Sequence, residues 1–202
     1  MQKIEAWLIV KRMKKQIITI AGRPGSGKST TAKTVAAKLG YEHFSSGDLF
    51  RAIGRERGLD VLQTNLTSEQ NTEIDYLVDQ RLRDIGKTED LKVIDSRTAW
   101  HWIPNSFKVF LDLDLKSAAK RILDNTDKQR LSSENMTKDP AEYAKALQAR
   151  LDSEAKRYKA LYDIDPYDMD NYDLVIDTAQ NNIEQVVELV LSGYEDWLTH
   201  PT

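Results

Sequence analysis

Residues 16–39 read QIITIAGRPGSGKSTTAKTVAAKL: a short β-branched run that breaks into a glycine-rich turn and resumes as a helix. Gly22, Gly27, Lys28 and Ser29 fit G-x-x-x-x-G-K-[ST], the phosphate-binding loop, with Gly25 between them. The residue types follow from the task. Glycines let the backbone turn its N–H groups inward around a polyphosphate, and the positive end of the following helix faces the same anion. The pattern demands a strand before the loop and a helix after it. Gln16 to Ala21 supplies the strand, and Gly27 to Leu39 the helix, with Gly40 as its stop. Lys28 is the expected charge on the β and γ phosphates, and the Ser29 hydroxyl the expected Mg²⁺ ligand.

Four further β-like runs alternate with helical segments: Tyr41–Ser45, Leu91–Asp95, Phe107–Leu111 and Asp173–Asp177. That alternation predicts a doubly wound α/β fold with a five-stranded parallel sheet, whose ligands sit at the carboxyl ends of the strands. A chain of 202 residues that is 40% hydrophobic can bury one substantial core, so a single domain over 15–199 is expected, preceded by an arm over 1–14. Two intervals exceed a simple crossover. The first, about 50–91, carries a predicted helix from Ser68 to Ile85, capped by Thr67 with Gln70 and ended by Gly86. Ile74, Leu77, Val78, Leu82 and Ile85 share its apolar face. The second, about 125–138, is polar and aperiodic and is expected to be a mobile lid. It leads into a long helix with Asp139 as cap, Pro140 at its first position and Glu142 at its third.

Composition excludes several classes. There is no cysteine, hence no disulfide framework or thiolate metal site, and His43, His101 and His200 have no metal-like spacing. A net charge of −3 argues against a general nucleic-acid binder. No stretch approaches the ~20 apolar residues of a membrane span, so a cytoplasmic protein, expected as a monomer, is the default.

The strand ends carry the residues that could receive a second ligand. In FSSGDLFR, Ser45 or Ser46 can cap a helix whose amides face an anion, and Arg51 lies one turn in, able to fork onto phosphate or carboxylate. An ordinary capped helix with a solvated arginine would use the same residues. In VIDSR, Asp95 ends a buried strand beside the loop, where it can hold the Mg²⁺ water shell, and Arg97 projects from the same edge. A structural ion pair between the two is the plainer reading. Arg150 and Arg157, seven apart with Glu154 between them, share a helical face and could neutralise charge on a transferring phosphoryl group, or form surface ion pairs.

In these segments, together with FLDLDLKSAAKRI and YDLVIDT, the chain resembles the nucleoside monophosphate kinases of the P-loop superfamily, closest to the archaeal-type cytidylate kinases, over about residues 15–191. The resemblance implies ATP with Mg²⁺ (on Ser29 and Asp95) at the loop, on Gly22, Arg23, Pro24, Gly25, Ser26, Gly27, Lys28, Ser29, Thr30 and Arg121. It implies CMP or dCMP on Ser45, Ser46, Asp48, Arg51 and Arg97, with Lys28, Arg97, Arg121, Arg150 and Arg157 around the transferred phosphoryl. Asp75, Asp79 and Arg81, on the polar face of the inserted helix, are candidates to read the base, and a solvated surface face is the equal alternative. Three positions depart from the family's pattern: Asn125 where a second basic residue often continues the Arg121 segment, with Lys128 or Arg130 as candidate substitutes; Ser96 in place of a usual glycine; and Asp163 in place of a frequent glycine. An adenylate kinase, a shikimate- or gluconate-type kinase, and a non-catalytic nucleotide-binding regulator are the competing readings.

Overall fold

The computed structural model describes residues 15–59, 72–125 and 137–199. Five parallel strands form one sheet in the order β2-β3-β1-β4-β5: β1 Ile17–Gly22, β2 Glu42–Ser45, β3 Lys92–Asp95, β4 Phe107–Asp112 and β5 Leu174–Asp177. Every residue of β1 is buried, as a central strand covered on both faces requires. All five strands fall where the alternation places them. The fold is the doubly wound α/β class.

The helices are α1 Lys28–Leu39, α2 Ser46–Glu56, α3 Glu73–Thr88, α4 Ala99–Trp102, α5 Leu115–Asn125, α6 Pro140–Tyr162 and α7 Ile183–Thr199. On one face of the sheet, Ala32, Val35 and Ala36 of α1 pack with Val186, Val187, Val190 and Tyr194 of α7 over Ile18, Val109 and Leu111. On the other, Val78, Leu82 and Ile85 of α3 pack with Ala99 and Ile103 against Ile17 and Ile94. Each such aliphatic side chain contributes about 1.5–3 kcal/mol by leaving water. Truncating a fully buried one such as Val109 (0% exposed) leaves a gap that neighbouring strands cannot close.

Register brings the chemistry to one edge. Ser45 lies beside Asp95, Ile20 beside Asp95, Gly22 beside Leu111, and Asp112 beside Asp177. The ends of all five strands therefore open onto the same rim, at the switch point where β1 parts β3 from β4.

Three local readings need correction. The helix α3 runs through Gly86 to Thr88 instead of stopping there. A Cβ at Gly86 would lie 3.1 Å from Ile103 Cγ1, so glycine serves close packing against the segment after α4. Leu77, assigned to the apolar face, is 41% exposed, because the helix is rolled to bury Asp75 and Asp79. The expected Thr67 cap lies outside the described residues, and Thr72 is the cap position of α3. At the end of α6, Asp163 takes the left-handed conformation (φ 58°) that glycine would have taken, and its N–H still bonds Lys159 O at 3.0 Å. The turn survives the substitution. Of the expected lid, 126–136 lie outside the described residues.

Candidate functional site

The phosphate loop is built on two close approaches. At Gly22, a Cβ would stand 2.5 Å from Leu111 O, so only glycine lets β1 leave the sheet alongside β4. Gly27, at φ 81°, is the residue before α1, and its left-handed turn swings the chain into the helix. Thr31 N–H already reaches Gly27 O at 2.9 Å, leaving the earlier amides of the helix free for an anion. The Arg23 side chain turns toward β4. Its Nε meets Asp112 Oδ1 at 2.6 Å and its guanidinium lies over the Tyr167 ring, so it braces the loop against β4.

Lys28 Nζ pairs with Asp95 Oδ1, and Ser29 Oγ donates to Asp95 Oδ2 at 2.5 Å. Asp95 is 2% exposed. Burial lowers the Lys28 pKa, with Arg97 adding to the effect, while Asp95 works against it. The lysine, the hydroxyl and the carboxylate thus meet at one point, as expected of the donor end. The plainer pairing of Asp95 with Arg97 is not formed: Asp95 is taken by Lys28, and Arg97 turns to Glu154.

Two cavities flank this point. One, about 560 Å³, is lined by Gly25, Ser26, Gly27, Arg121, Asn125 and Thr178 among others. Arg121 donates to Thr178 O at 2.6 Å and to its Oγ1 at 3.3 Å, which sets the guanidinium beside the loop. Asn125 turns its amide back to Arg121 O at 2.7 Å and so steadies the end of α5.

The second cavity, about 650 Å³, lies on the other side, and its walls include Ser46, Arg51, Arg97, Arg150 and Arg157. Ser45 caps α2, accepting from Asp48 N–H at 3.2 Å, while Ser46 Oγ donates to Asp95 O at 3.3 Å. Arg51 Nη2 pairs with Asp48 Oδ1 at 2.6 Å, so Ser45 and Asp48 shape the wall that Ser46 and Arg51 line. The Ser96 hydroxyl accepts from Thr98 N–H at 3.2 Å and serves the turn into α4.

Glu154 links the cationic wall. Its Oε2 lies 2.8 Å from Arg97 Nε, off the N–H direction, and accepts from Tyr167 OH at 2.6 Å. Its Oε1 takes Arg150 Nε at 3.0 Å. Burial would push the Glu154 pKa up, but Arg97 and Arg150 outweigh it and hold the carboxyl below its ordinary range. Burial likewise opposes the Arg97 charge, and Glu154 more than offsets it.

Arg157 departs from its expected partnership with Arg150. Its Nη2 is 3.6 Å from Asp75 Oδ1, against the acceptor-side helix α3. Asp75 and Asp79 are 6% and 3% exposed, so they are not the solvated pair that their charge suggests. Asp79 accepts from Thr98 Oγ1 at 3.4 Å, Trp102 Nε1 at 2.9 Å and the Tyr162 hydroxyl. Burial raises its pKa in spite of those donors. Arg81 faces away from the cavity, paired with Glu89 at 2.5 Å and lying over the Phe44 ring. It is not among the residues that line the cavity.

A family model described as the cytidylate kinase-like family matches residues 17–180, the span that holds the phosphate loop, the acceptor-side cavity and most of the donor-side wall. The chain belongs to that family. It is 37% identical over 185 residues to a cytidylate kinase of Haloquadratum walsbyi, covering 89% of this chain and 91% of the other. It is 39% identical over 184 residues to that of Natronomonas pharaonis (88% and 90% covered) and 36% over 180 to that of Methanocaldococcus jannaschii (89% and 98%). Among solved structures it is similar to a gluconokinase from Sinorhizobium meliloti (TM-score 0.58, 17% identity, 91% and 94% covered) and to shikimate kinase from Aquifex aeolicus (TM-score 0.55, 18%, 91% and 99%). At those identities they share the fold alone.

Within this family frame, several contributors lay beyond the sequence reading. Asp112, Thr178 and Tyr167 brace Arg23, Arg121 and Glu154 from positions 89, 57 and 13 residues away. Glu154 was visible as the residue between two arginines, but its tie to Arg97 joins elements distant in the chain.

Proposed function

We propose that the protein transfers the γ-phosphoryl group of ATP to a nucleoside monophosphate, CMP or dCMP, giving the diphosphate and ADP. The observation that carries this reading is the pair of cavities on either side of the Lys28–Asp95 point, one walled by the phosphate loop and Arg121, the other by Arg51, Arg97, Arg150 and Arg157. A cationic wall opposite a polyphosphate cradle suits a second phosphate. The cytidylate kinase relatives support cytidine as its base.

The loop amides and Lys28 take the triphosphate, Arg121 holds the donor side, and Arg51 and Arg97 fork onto the acceptor phosphate. An acceptor oxygen then attacks the γ-phosphorus in line while the bond to the β-bridging oxygen breaks and ADP leaves. The transition state is loose, so positioning and charge neutralisation carry the rate, and no general base is demanded. Arg150, half-exposed beside Glu154, is the arginine placed to follow the transferring group.

The Ser29 hydroxyl and Asp95 carboxylate, 2.5 Å apart, are hard oxygen donors of the kind Mg²⁺ takes. Ser29 would ligate the ion and Asp95 its water shell, and the bound ion would neutralise charge on the β and γ oxygens. Both cavities come from one chain, so a monomer suffices, and ATP and CMP as substrates suit a cytoplasmic enzyme. No helix among the described residues is long and apolar enough to cross a membrane.

The test is a panel of CMP, dCMP, UMP, AMP, GMP, shikimate and gluconate with Mg-ATP, read as ADP formed. Turnover led by CMP or dCMP supports the proposal. Turnover led by shikimate or gluconate, or by none of the panel, overturns it.

A further inference from the structure

Among the described residues, three buried polar atoms on the wall of the acceptor cavity have no hydrogen-bond partner: Asp75 Oδ2, Arg157 Nε and Arg97 Nε. A buried donor or acceptor left unmade is costly, and native proteins rarely keep one without a use. The first two belong to opposite charges that face each other, Asp75 Oδ1 lying 3.6 Å from Arg157 Nη2. Arg97 is different. A carboxylate oxygen, Glu154 Oε2, stands 2.8 Å from its Nε, near enough for a hydrogen bond, but the Nε–H does not point at it. A carboxylate beside a guanidinium ordinarily turns into its plane and takes two N–H bonds at once. Something holds Glu154 out of that fork.

Both oxygens of Glu154 are already pinned. Oε1 takes Arg150 Nε at 3.0 Å, and Oε2 takes the Tyr167 hydroxyl at 2.6 Å. The two pins differ in firmness. Arg150 is half-exposed and, on the reading above, leaves for the transferring group. Tyr167 sits in the turn between α6 and β5, its N–H donating to Asp165 Oδ1 at 2.9 Å and its ring packed against Ala21, Trp100 and Phe110. The Arg23 guanidinium lies over the same ring, 5.8 Å from its centre, so the phosphate loop adds to the anchorage. Burial pushes the Tyr167 pKa up, so the hydroxyl keeps its proton, while Glu154 is held ionised; donor and acceptor are fixed in kind. Resting on the nucleoside-monophosphate reading above, we propose that Tyr167 is a positioning residue: its hydroxyl keeps Glu154 close enough to balance the buried charge of Arg97 but off the Nε–H, which is thereby kept for an oxygen of the acceptor phosphate. Without that hydroxyl, Glu154 closes the fork onto Arg97 and competes with the acceptor for it.

The experiment measures kcat and the KM values for CMP and ATP in the full chain and in Tyr167→Phe, Glu154→Gln and the double variant, with thermal melts to establish that each is folded. Phenylalanine keeps the ring under Arg23 and removes only the hydroxyl. Glutamine keeps the size of Glu154 but has no charge with which to claim Arg97. The expected result is that Tyr167→Phe raises the CMP KM about tenfold, the loss of one charge-assisted bond, with kcat and the KM for ATP within about twofold. In the Glu154→Gln background the same substitution should change the CMP KM by less than about threefold, because the competitor is gone. A tyrosine that only packs the turn would change the CMP KM by the same factor in both backgrounds. That outcome, or an unchanged CMP KM in folded Tyr167→Phe, overturns this inference and leaves the kinase reading standing. A wild-type chain that turns over neither CMP nor dCMP overturns both. If Glu154→Gln does not fold, Tyr167→Phe decides alone, by whether the CMP KM rises while the KM for ATP holds.

Discussion

The Lys28 ammonium pairs with the Asp95 carboxylate, joining the first turn of α1 to the end of β3. Lys28 therefore answers two demands: it keeps a carboxylate at 2% exposure from being stranded, and it lies ready for the triphosphate that will compete for its charge. Lys28→Ala should lower kcat on the order of 10³-fold, the usual loss for a preorganised charge at a transferring group. It should also lower stability by about 3 kcal/mol, because the buried Asp95 loses its charge partner and, among the described residues, keeps Ser29 as its side-chain donor. Steady-state assay and a melting curve check both. Near-normal turnover in the folded variant would sink the kinase reading.

Arg51 and Arg97 face the same cavity but differ in what else they hold. Arg51 is half-exposed and, among the described residues, pairs with Asp48 of its own helix. Arg51→Ala should raise the KM of the monophosphate ten- to a hundredfold, roughly the 1.5–3 kcal/mol of a charge-assisted bond, with little change in melting temperature. Arg97 sits on Glu154, so Arg97→Ala should harm acceptor use and also destabilise the fold by about 3 kcal/mol. Equal melting temperatures for the two variants would contradict the contact made by Arg97.

The donor half of this site was legible because its signals are local. A β-branched strand, a glycine turn and a helix follow one another in sequence, and the same backbone that reads as a motif forms the cradle. The acceptor half was legible only as a set of arginines. Charges at positions 75 and 79, one turn apart on a helix, look like a solvated face, and Leu77 looks like core. The roll of α3 that reverses both is set by Val78, Leu82 and Ile85 packing on the sheet, with Ile74 buried on the same side, and by Trp102 and Tyr162 donating to Asp79. Those donors lie 23 and 83 residues away and leave no trace in local periodicity. Gly86 misled for the same reason, since its small size answers to Ile103 and not to the helix end.

Asp75 should depress stability at neutral pH. Burial raises its pKa from 3.8 to about 6, helped by the nearby charges of Asp79 and Glu154 and opposed by Arg157. The folded state then holds this proton more tightly than the unfolded chain does. The stabilisation from protonated Asp75 is complete below about pH 4 and is lost as pH rises through about 6. A shift of about 2 units corresponds to roughly 3 kcal/mol at pH 7. Asp75→Asn removes the charge, so it should raise the neutral-pH melting temperature and flatten its pH dependence between about 4 and 6. Parallel melts of the two proteins across that range check the sign. A variant that melts lower than wild type at pH 7 would show that Arg157 depends on this carboxylate more than burial penalises it.

The last prediction separates two arginines on one helix. Arg150 and Arg157 are two turns apart on α6, but their contacts differ: Arg150 meets Glu154 at 3.0 Å and is half-exposed, whereas Arg157 is largely buried against Asp75. A group that follows the transferring phosphoryl gains its strongest contact only in the transition state, so its loss falls on kcat. A group that holds the bound acceptor makes its contact before reaction as well, so its loss falls on the acceptor KM. Arg150→Ala should therefore lower kcat by at least tenfold with both KM values within a few-fold of wild type. Arg157→Ala should raise the KM of CMP by at least tenfold and leave the KM of ATP alone. If both variants lose kcat equally and keep the KM of CMP, the two arginines act together on the phosphoryl group, and Asp75 is left as a structural partner of Arg157.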